Sequence, residues 1–206
     1  MKLLFTGASG FLGNGIRSLL DRMYTVATVG LLSQNDYTVN IANEIPELHE
    51  RYDIILHAAG KAHSVPRSEA EKQMFFDVNL QGTKNLCAAL EKVGVPRVFI
   101  FISTVAVYGC AYGENITEDH PLNGDTPYAM SKRLAEEYLQ KWCYEHNVIL
   151  GIIRPSLIAG PNPLWYPQWE IPQYCWQSGT KECIDGAGYC KISSSVGRKG
   201  RHLQCM

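Results

Sequence analysis

Twelve residues near the start of the chain, Lys2-Leu3-Leu4-Phe5-Thr6-Gly7-Ala8-Ser9-Gly10-Phe11-Leu12-Gly13, limit the fold more than any others. A short apolar strand runs into three glycines spaced three apart. Ile16, Leu19, Leu20 and Met23 then follow at helical spacing. A strand-to-helix turn this tight needs residues without a Cβ, so that backbone N–H groups can close on an anion at the positive end of the helix. Where the strand opens a βαβ unit, the anion that fits is a pyrophosphate. Glycine spacing alone is a weak signal; its place between a first strand and a periodic helix gives it weight.

The rest of the first 161 residues alternates in the same way. Thr25–Val29 reads as a second strand closed by Gly30, and a third, short strand is expected around Tyr37–Ile41. Ile54–Gly60 is an apolar run ended by glycine, the pattern of a strand buried on both faces. Phe76, Leu80, Cys87 and Leu90 give helical spacing over about 68–93, with Gly94 as the stop. Val98–Ile102 is apolar throughout. A further helix is expected over 127–145, with Ala135, Tyr138, Leu139 and Trp142 on one face, and a strand over 148–153. Six alternations of this kind predict an α/β fold: a doubly wound, Rossmann-type parallel sheet with helices on both faces. Ligands on such a sheet sit beyond the carboxyl ends of the strands, where strand order reverses. The glycine turn, His57 to Lys61, and Ser103-Thr104 all fall there.

Composition narrows the function. With 206 residues, 46% of them hydrophobic, and a formal net charge of −1, the chain can bury one sizeable core and carries no charge excess for nucleic acid or an anionic membrane. No apolar run reaches the length of a membrane span, and the chain enters its first strand at once, so a cytoplasmic location is the expectation. Seven cysteines form no C-x-x-C pair, which favours free thiols. Four of them crowd the last 32 residues, but at no zinc-ligand spacing, so no metal is expected.

Tyr128-Ala129-Met130-Ser131-Lys132 puts a phenol and an ammonium four apart on one helix face, and Thr104 lies just past the most apolar strand. A hydroxyl, a phenol and an amine beside a dinucleotide site point to proton transfer coupled to hydride transfer. A phenol titrates near pH 10, and bringing it to 7 takes about 4 kcal/mol. One positive charge at ~4 Å, with an effective dielectric near 20, supplies about that much. Lys132, helped by an oxidised nicotinamide, is therefore sufficient to make Tyr128 a general base. His57 and His63 flank the cofactor loop; a histidine that ends a buried strand is read as a packed residue.

Thr6 to Gly13, His57-Ala58-Ala59-Gly60, Asn79, Ser103 to Gly109, Tyr128 with Lys132, and Arg154-Pro155 together resemble the extended short-chain dehydrogenase/reductases. The particular resemblance is to the NAD-dependent epimerase/dehydratase group acting on nucleotide sugars, and it covers residues 1 to about 163. It implies Tyr128 as base, Lys132 on the nicotinamide ribose while lowering the tyrosine pKa, and Thr104 on the reacting hydroxyl. It implies Gly7, Gly10, Phe11, Leu12 and Gly13 around the pyrophosphate, and Ala58, Ala59 and Gly60 along the adenosine. Asn79 is expected to brace the central helix. A small-molecule substrate of the nucleotide-sugar kind, and a homodimer through the two long helices, also follow from the resemblance.

The chain departs from that pattern in places. Val105-Ala106 stand where the nucleotide-sugar dehydratases carry an acidic pair, which argues against dehydration. Gly30-Leu31-Leu32 offers neither the acid that favours NAD nor the arginine that favours NADP, so the choice between them stays open. Asn40-Ile41 replaces the usual Asp-Leu/Val near adenine, and its amide can still pair with the ring edge. From Asn162 onward the periodicities fade, and no element is drawn. The expected division is a dinucleotide-binding Rossmann domain over 1–163 and an irregular tail over 164–206, in place of the family's substrate lobe. Back-translation of Gly200 to Met206, read one nucleotide later, permits Gly-Gly-Thr-Tyr-Asn-Val, which resembles a stretch of that lobe. A frameshift near residue 163 is one explanation. Two readings of function therefore stand: an epimerase or dehydrogenase, and a non-catalytic NAD(P)-binding remnant or sensor.

Overall fold

The computed structural model describes residues 1–62, 64–110, 116–156, 158 and 203–205. The sequence readings that concern His63 and the tail beyond Pro161, including its tryptophans, its basic end and the frameshift, lie outside the described residues apart from Leu203–Cys205.

Strand β1 (Lys2–Thr6) leads through the glycine turn into α1 (Phe11–Met23), then β2 (Thr25–Gly30), β3 (Tyr37–Thr38) and β4 (Ile54–His57). Helix α2 (Glu69–Phe76) passes through a π-turn at Asp77–Gln81 into α3 (Gly82–Val93) and then β5 (Val98–Ile102). A 3₁₀ turn at Val105–Tyr108, helix α4 (Pro127–Glu145), β6 (Ile149–Ile153) and β7 (Leu203–Cys205) complete the described elements. The sheet is parallel throughout, in the order β3-β2-β1-β4-β5-β6-β7. Strand order reverses between β1 and β4, and the turn after β1 meets the loop after β4 there. An added Cβ on Gly7 would lie 2.6 Å from Ala59 N.

Alternation along the strands builds two cores. Leu4, Ile55, Phe99 and Phe101 face the side covered by α3 and α4, against Leu86, Leu90, Leu139 and Trp142. Leu3, Phe5 and Leu56 face the other side, against Ile16 and Leu20 of α1. Each fully buried side chain of this size contributes roughly 1.5–3 kcal/mol, which is why the carboxyl ends of these strands are stable platforms. The helix starts are well specified. Ser68 Oγ accepts from Glu71 N at 3.2 Å, and Thr126 Oγ1 accepts from Ala129 N at 3.1 Å with Pro127 in the first turn.

Three expectations needed correction. The third strand stops at Thr38 and does not reach Ile41, because the Asn40 carbonyl accepts from Asn43 N and Glu44 N and closes a turn. The long periodic helix over 68–93 is interrupted by the π-turn, which carries Asn79. The tail, read as lacking any element, supplies β7, which pairs with β6.

Candidate active site

The glycine turn closes on itself. Gly7 has φ +79°, a conformation costly for any residue with a Cβ, and Gly10 N donates to Gly7 O at 3.0 Å. Helix α1 begins at Phe11 with Gly10 as its uncapped N-cap, and no acid stands in its first turn. The N–H groups of Phe11, Leu12 and Gly13 therefore have no acceptor within the helix or from a cap. They form a positive helix end beside the strand-order switch, an arrangement that accepts an anion through backbone alone. Ala58 and Ala59 are half-buried, and Gly60 is exposed. Asn40, exposed, uses its Oδ1 to accept from Ala42 N at 3.1 Å. Ile41 is buried under α3, and its carbonyl accepts from Asn85 Nδ2 at 2.7 Å.

Past Gly30, Leu31 and Leu32 are exposed. Asp36, the first acid after β2, turns its Oδ2 back to accept from Thr28 N and Thr28 Oγ1, both at 2.8 Å. These bonds outweigh its partial desolvation and hold its carboxyl below the usual range.

His57 is wholly buried. Its Nδ1 lies 2.6 Å from Thr6 Oγ1 and its Nε2 lies 2.9 Å from Thr83 Oγ1. The Thr83 hydroxyl donates to Asn79 O at 2.7 Å, so its oxygen is left to accept from Nε2–H. Nδ1 then accepts from the Thr6 hydroxyl, whose oxygen accepts from Ala59 N at 3.1 Å. Asn79 carries the network on. Its Oδ1 accepts from Lys61 N at 2.7 Å, and its Nδ2 donates to Ser131 Oγ at 2.9 Å. One hydrogen-bonded chain thus joins the end of β1 and the loop after β4 to helix α4.

Burial, with a smaller push from Lys132, depresses His57 to about 3. Unfolded, it titrates near 6.5, so only the unfolded state takes up the proton between those values. Its contribution to stability is complete above pH 6.5 and is lost as pH falls below it, at about 1.4 kcal/mol per unit. Urea unfolding at pH 6.5 and 5.0 should show wild type losing about 2 kcal/mol more than His57→Gln. Equal losses would mean that His57 is protonated in the native state.

Thr104, Tyr128 and Lys132 converge at the carboxyl end of β5. Thr104 is buried, and its Oγ1 accepts from Ala106 N at 3.2 Å, leaving the hydroxyl hydrogen free to donate. Tyr128, in the first turn of α4, stands against Phe75 with ring centroids 6.2 Å apart. Burial pushes its phenol above 10, and the hydrogen bond with Thr104 pulls it partly back. Lys132 is buried; its Nζ donates to Ile102 O at 2.7 Å and sits 4.4 Å from the Phe101 ring centre. Gly60 leaves room for it, since a Cβ there would lie 3.3 Å from Nζ. Burial brings Lys132 down to about 8, against the upward pull of Glu136. Desolvation dominates both groups, and the neighbour that lowers the phenol in this structure is Thr104, whereas the sequence motif assigns that role to the Lys132 charge.

Four residues of this region gain a role only from the structure: Ser103, Glu136, Thr6 and Thr83. Glu136 has a readable signal, since it continues the spacing of Tyr128 and Lys132 and is the acid on a face otherwise made of Ala135, Leu139 and Trp142. Cys87 and Cys143 are buried free thiols. Among the described residues no helix is long and apolar enough to cross a membrane.

Comparison with known proteins points the same way. The model of the NAD dependent epimerase/dehydratase family matches residues 3–169. The dTDP-D-glucose 4,6-dehydratase of Mus musculus is 30% identical over 91% of this chain and 59% of its own length. The N-acetyl-alpha-D-glucosaminyl-diphospho-ditrans,octacis-undecaprenol 4-epimerase of Escherichia coli O157:H7 is 32% identical over 77% of this chain and 49% of its own. Among solved structures, RMD from Pseudomonas aeruginosa complexed with NADPH superposes with a TM-score of 0.66 at 28% identity, covering 78% of this chain and 55% of that one. The UDP-glucose 4-epimerase of Thermus thermophilus in complex with NAD gives 0.61 at 28%, covering 75% and 54%. The chain spans between about half and three-fifths of these relatives.

Proposed function

The chain belongs to the NAD-dependent epimerase/dehydratase family, and from that premise we propose that it forms the dinucleotide-binding part of an oxidoreductase acting at a hydroxyl of a nucleotide sugar. Residues 1–163 are its Rossmann unit, and 164–206 are a tail whose Leu203–Cys205 add to the sheet edge. The observation that carries the reading is the meeting of Thr104, Tyr128 and Lys132 beside an uncapped helix end framed by Gly7 and Gly13.

NAD or NADP fits the residues present. The free N–H groups of Phe11, Leu12 and Gly13 would hold the pyrophosphate, Asn40 and Ile41 would face the adenine, and Ala58, Ala59 and Gly60 would line the adenosine. When bound, its oxidised nicotinamide supplies a hydride acceptor and a positive charge. Thr104 orients the reacting hydroxyl by turning to it the hydroxyl hydrogen that otherwise faces the Tyr128 phenol. Tyr128 takes the proton from that hydroxyl, and its phenolate is favoured by the charge that Lys132, titrating near 8, retains at neutral pH. The keto product is then returned inverted, as in an epimerase, or released. Val105 and Ala106, in the 3₁₀ turn after Thr104, bring no carboxylate to a leaving group, so dehydration is not part of the proposal.

With Asp36 engaged on Thr28, no free carboxylate close after β2 selects a bare ribose or repels a phosphate. NAD and NADP should therefore bind within about tenfold of each other in a fluorescence titration, a difference below about 1.4 kcal/mol. A preference above a hundredfold would reveal a determinant elsewhere. The proposal includes a homodimer in the cytoplasm; Met74 of α2 and Tyr144 of α4 are both exposed, which suits a second copy packing on these helices, and sedimentation velocity tests it. Turnover is tested by incubating the protein with NAD and a panel of nucleotide sugars. Cofactor binding without turnover on any of them would favour the binding-protein reading.

A further inference from the structure

The end of β5 meets α4 one helical turn at a time. Ile102 O accepts from Lys132 Nζ at 2.7 Å, Ser103 Oγ donates to Glu136 Oε1, and Thr104 stands close enough to Tyr128 to pull its phenol down against burial. Three successive residues thus engage Lys132, Glu136 and Tyr128, which are four apart along one face of the helix. The proposed mechanism uses two of these three rungs. The third, Glu136, is wholly buried. A carboxylate persists in such a place only when paired and hydrogen-bonded. Its partner is Arg154, at the end of β6, which donates through Nε at 3.1 Å and Nη2 at 2.6 Å. Arg154 Nη1 also donates to Tyr108 Oη at 2.9 Å and to Glu118 O at 3.3 Å. One carboxylate therefore ties together the turn that carries Thr104, the helix that carries Tyr128 and Lys132, and the segment that follows Thr104.

We propose that Glu136 is the positioning residue of the reacting pair, setting where Thr104 stands against Tyr128 and placing a carboxylate one helical turn from Lys132. This rests on the reading of Thr104, Tyr128 and Lys132 given above. Glu136 does not touch the reacting atoms; it acts through Ser103, Arg154 and the charge it places four residues from Lys132. The other titratable groups around that lysine are Tyr128 on its own helix and His57 at the end of β4, with Arg154 behind Glu136.

The test needs neither cofactor nor turnover. In protein labelled with ¹³C at the lysine ε carbons, Lys132 is identified by the signal that disappears in Lys132→Met, and it should titrate near 8. Glu136→Gln keeps the shape but removes the charge, and should move that titration down by a unit or more. Arg154→Met leaves the carboxylate uncompensated and should move it up. A fold broken for want of packing alone would not give shifts of opposite sign. If Glu136→Gln fails to fold, the double variant Glu136→Gln/Arg154→Met removes both charges and should still titrate below wild type. A Lys132 titration unchanged in Glu136→Gln, or lowered in Arg154→Met, would overturn the proposal. Failure of the turnover assay would leave this result standing, so the two readings fail separately.

Discussion

Tyr128→Phe should lower turnover on a nucleotide sugar by about 10²–10⁴-fold while leaving dinucleotide affinity within threefold of wild type. The substitution removes one oxygen. The ring's packing against Phe75 is kept, and a half-buried hydroxyl is replaced by hydrogen, so the fold should be retained with a stability change below about 1 kcal/mol. A general base lost at the transition state lowers kcat with little effect on KM, and steady-state kinetics separate the two. A variant turning over within tenfold of wild type would remove Tyr128 from the mechanism. The structure makes this a demanding test, because burial sets the phenol above its ordinary value. Charge at Lys132 and at the nicotinamide must overcome that desolvation for the base to form.

The second large effect concerns Gly13, where two backbone rules oppose each other. Inside a helix, glycine to alanine is worth about 1 kcal/mol of stabilisation. Here an added Cβ would stand 2.4 Å from both Gly7 O and Ala8 O, and these are backbone atoms that cannot rotate away. The overlap opens the turn, and overpacking of this kind costs about 1–3 kcal/mol. Sterics should win. Gly13→Ala should lower the urea midpoint and weaken NAD or NADP binding by more than a hundredfold, because the N–H groups of the first turn no longer converge. Gly15, two residues further on the same helix, provides the control: nothing lies within 4 Å of an added Cβ. Gly15→Ala should stabilise the protein by about 1 kcal/mol and leave binding unchanged. Matching effects of the two variants would refute the close-approach account of the turn.

How much of this is legible in the sequence varies with the range of the interaction. The glycine turn, the buried strands and helix α4 are readable because each is coded locally, by period, by a missing Cβ or by a cap. The π-turn at Asp77–Gln81 is not, since no local pattern marks one extra residue in a helix; its Asn79 is held by Lys61 and Ser131, which are distant in sequence. The early end of β3 turns on hydrogen bonds of Asn40 that composition does not reveal. His57 reads as a packed residue, but its two threonine partners come from β1 and α3 and only the fold brings them together. Glu136 lies in plain view four residues past Lys132, yet its meaning depends on Arg154 eighteen residues later. Desolvation of Tyr128 and Lys132 escapes the sequence because burial depth belongs to the assembled site and not to a motif.

Everything proposed for the chemistry depends on the glycine turn being a dinucleotide site. Isothermal titration of NAD and NADP into the wild-type chain and into Gly13→Ala tests it most directly. One saturable site per chain in wild type, with a heat signal lost in the folded variant, is the predicted result. Absence of binding by folded wild type, or binding equally strong in the variant, would contradict it.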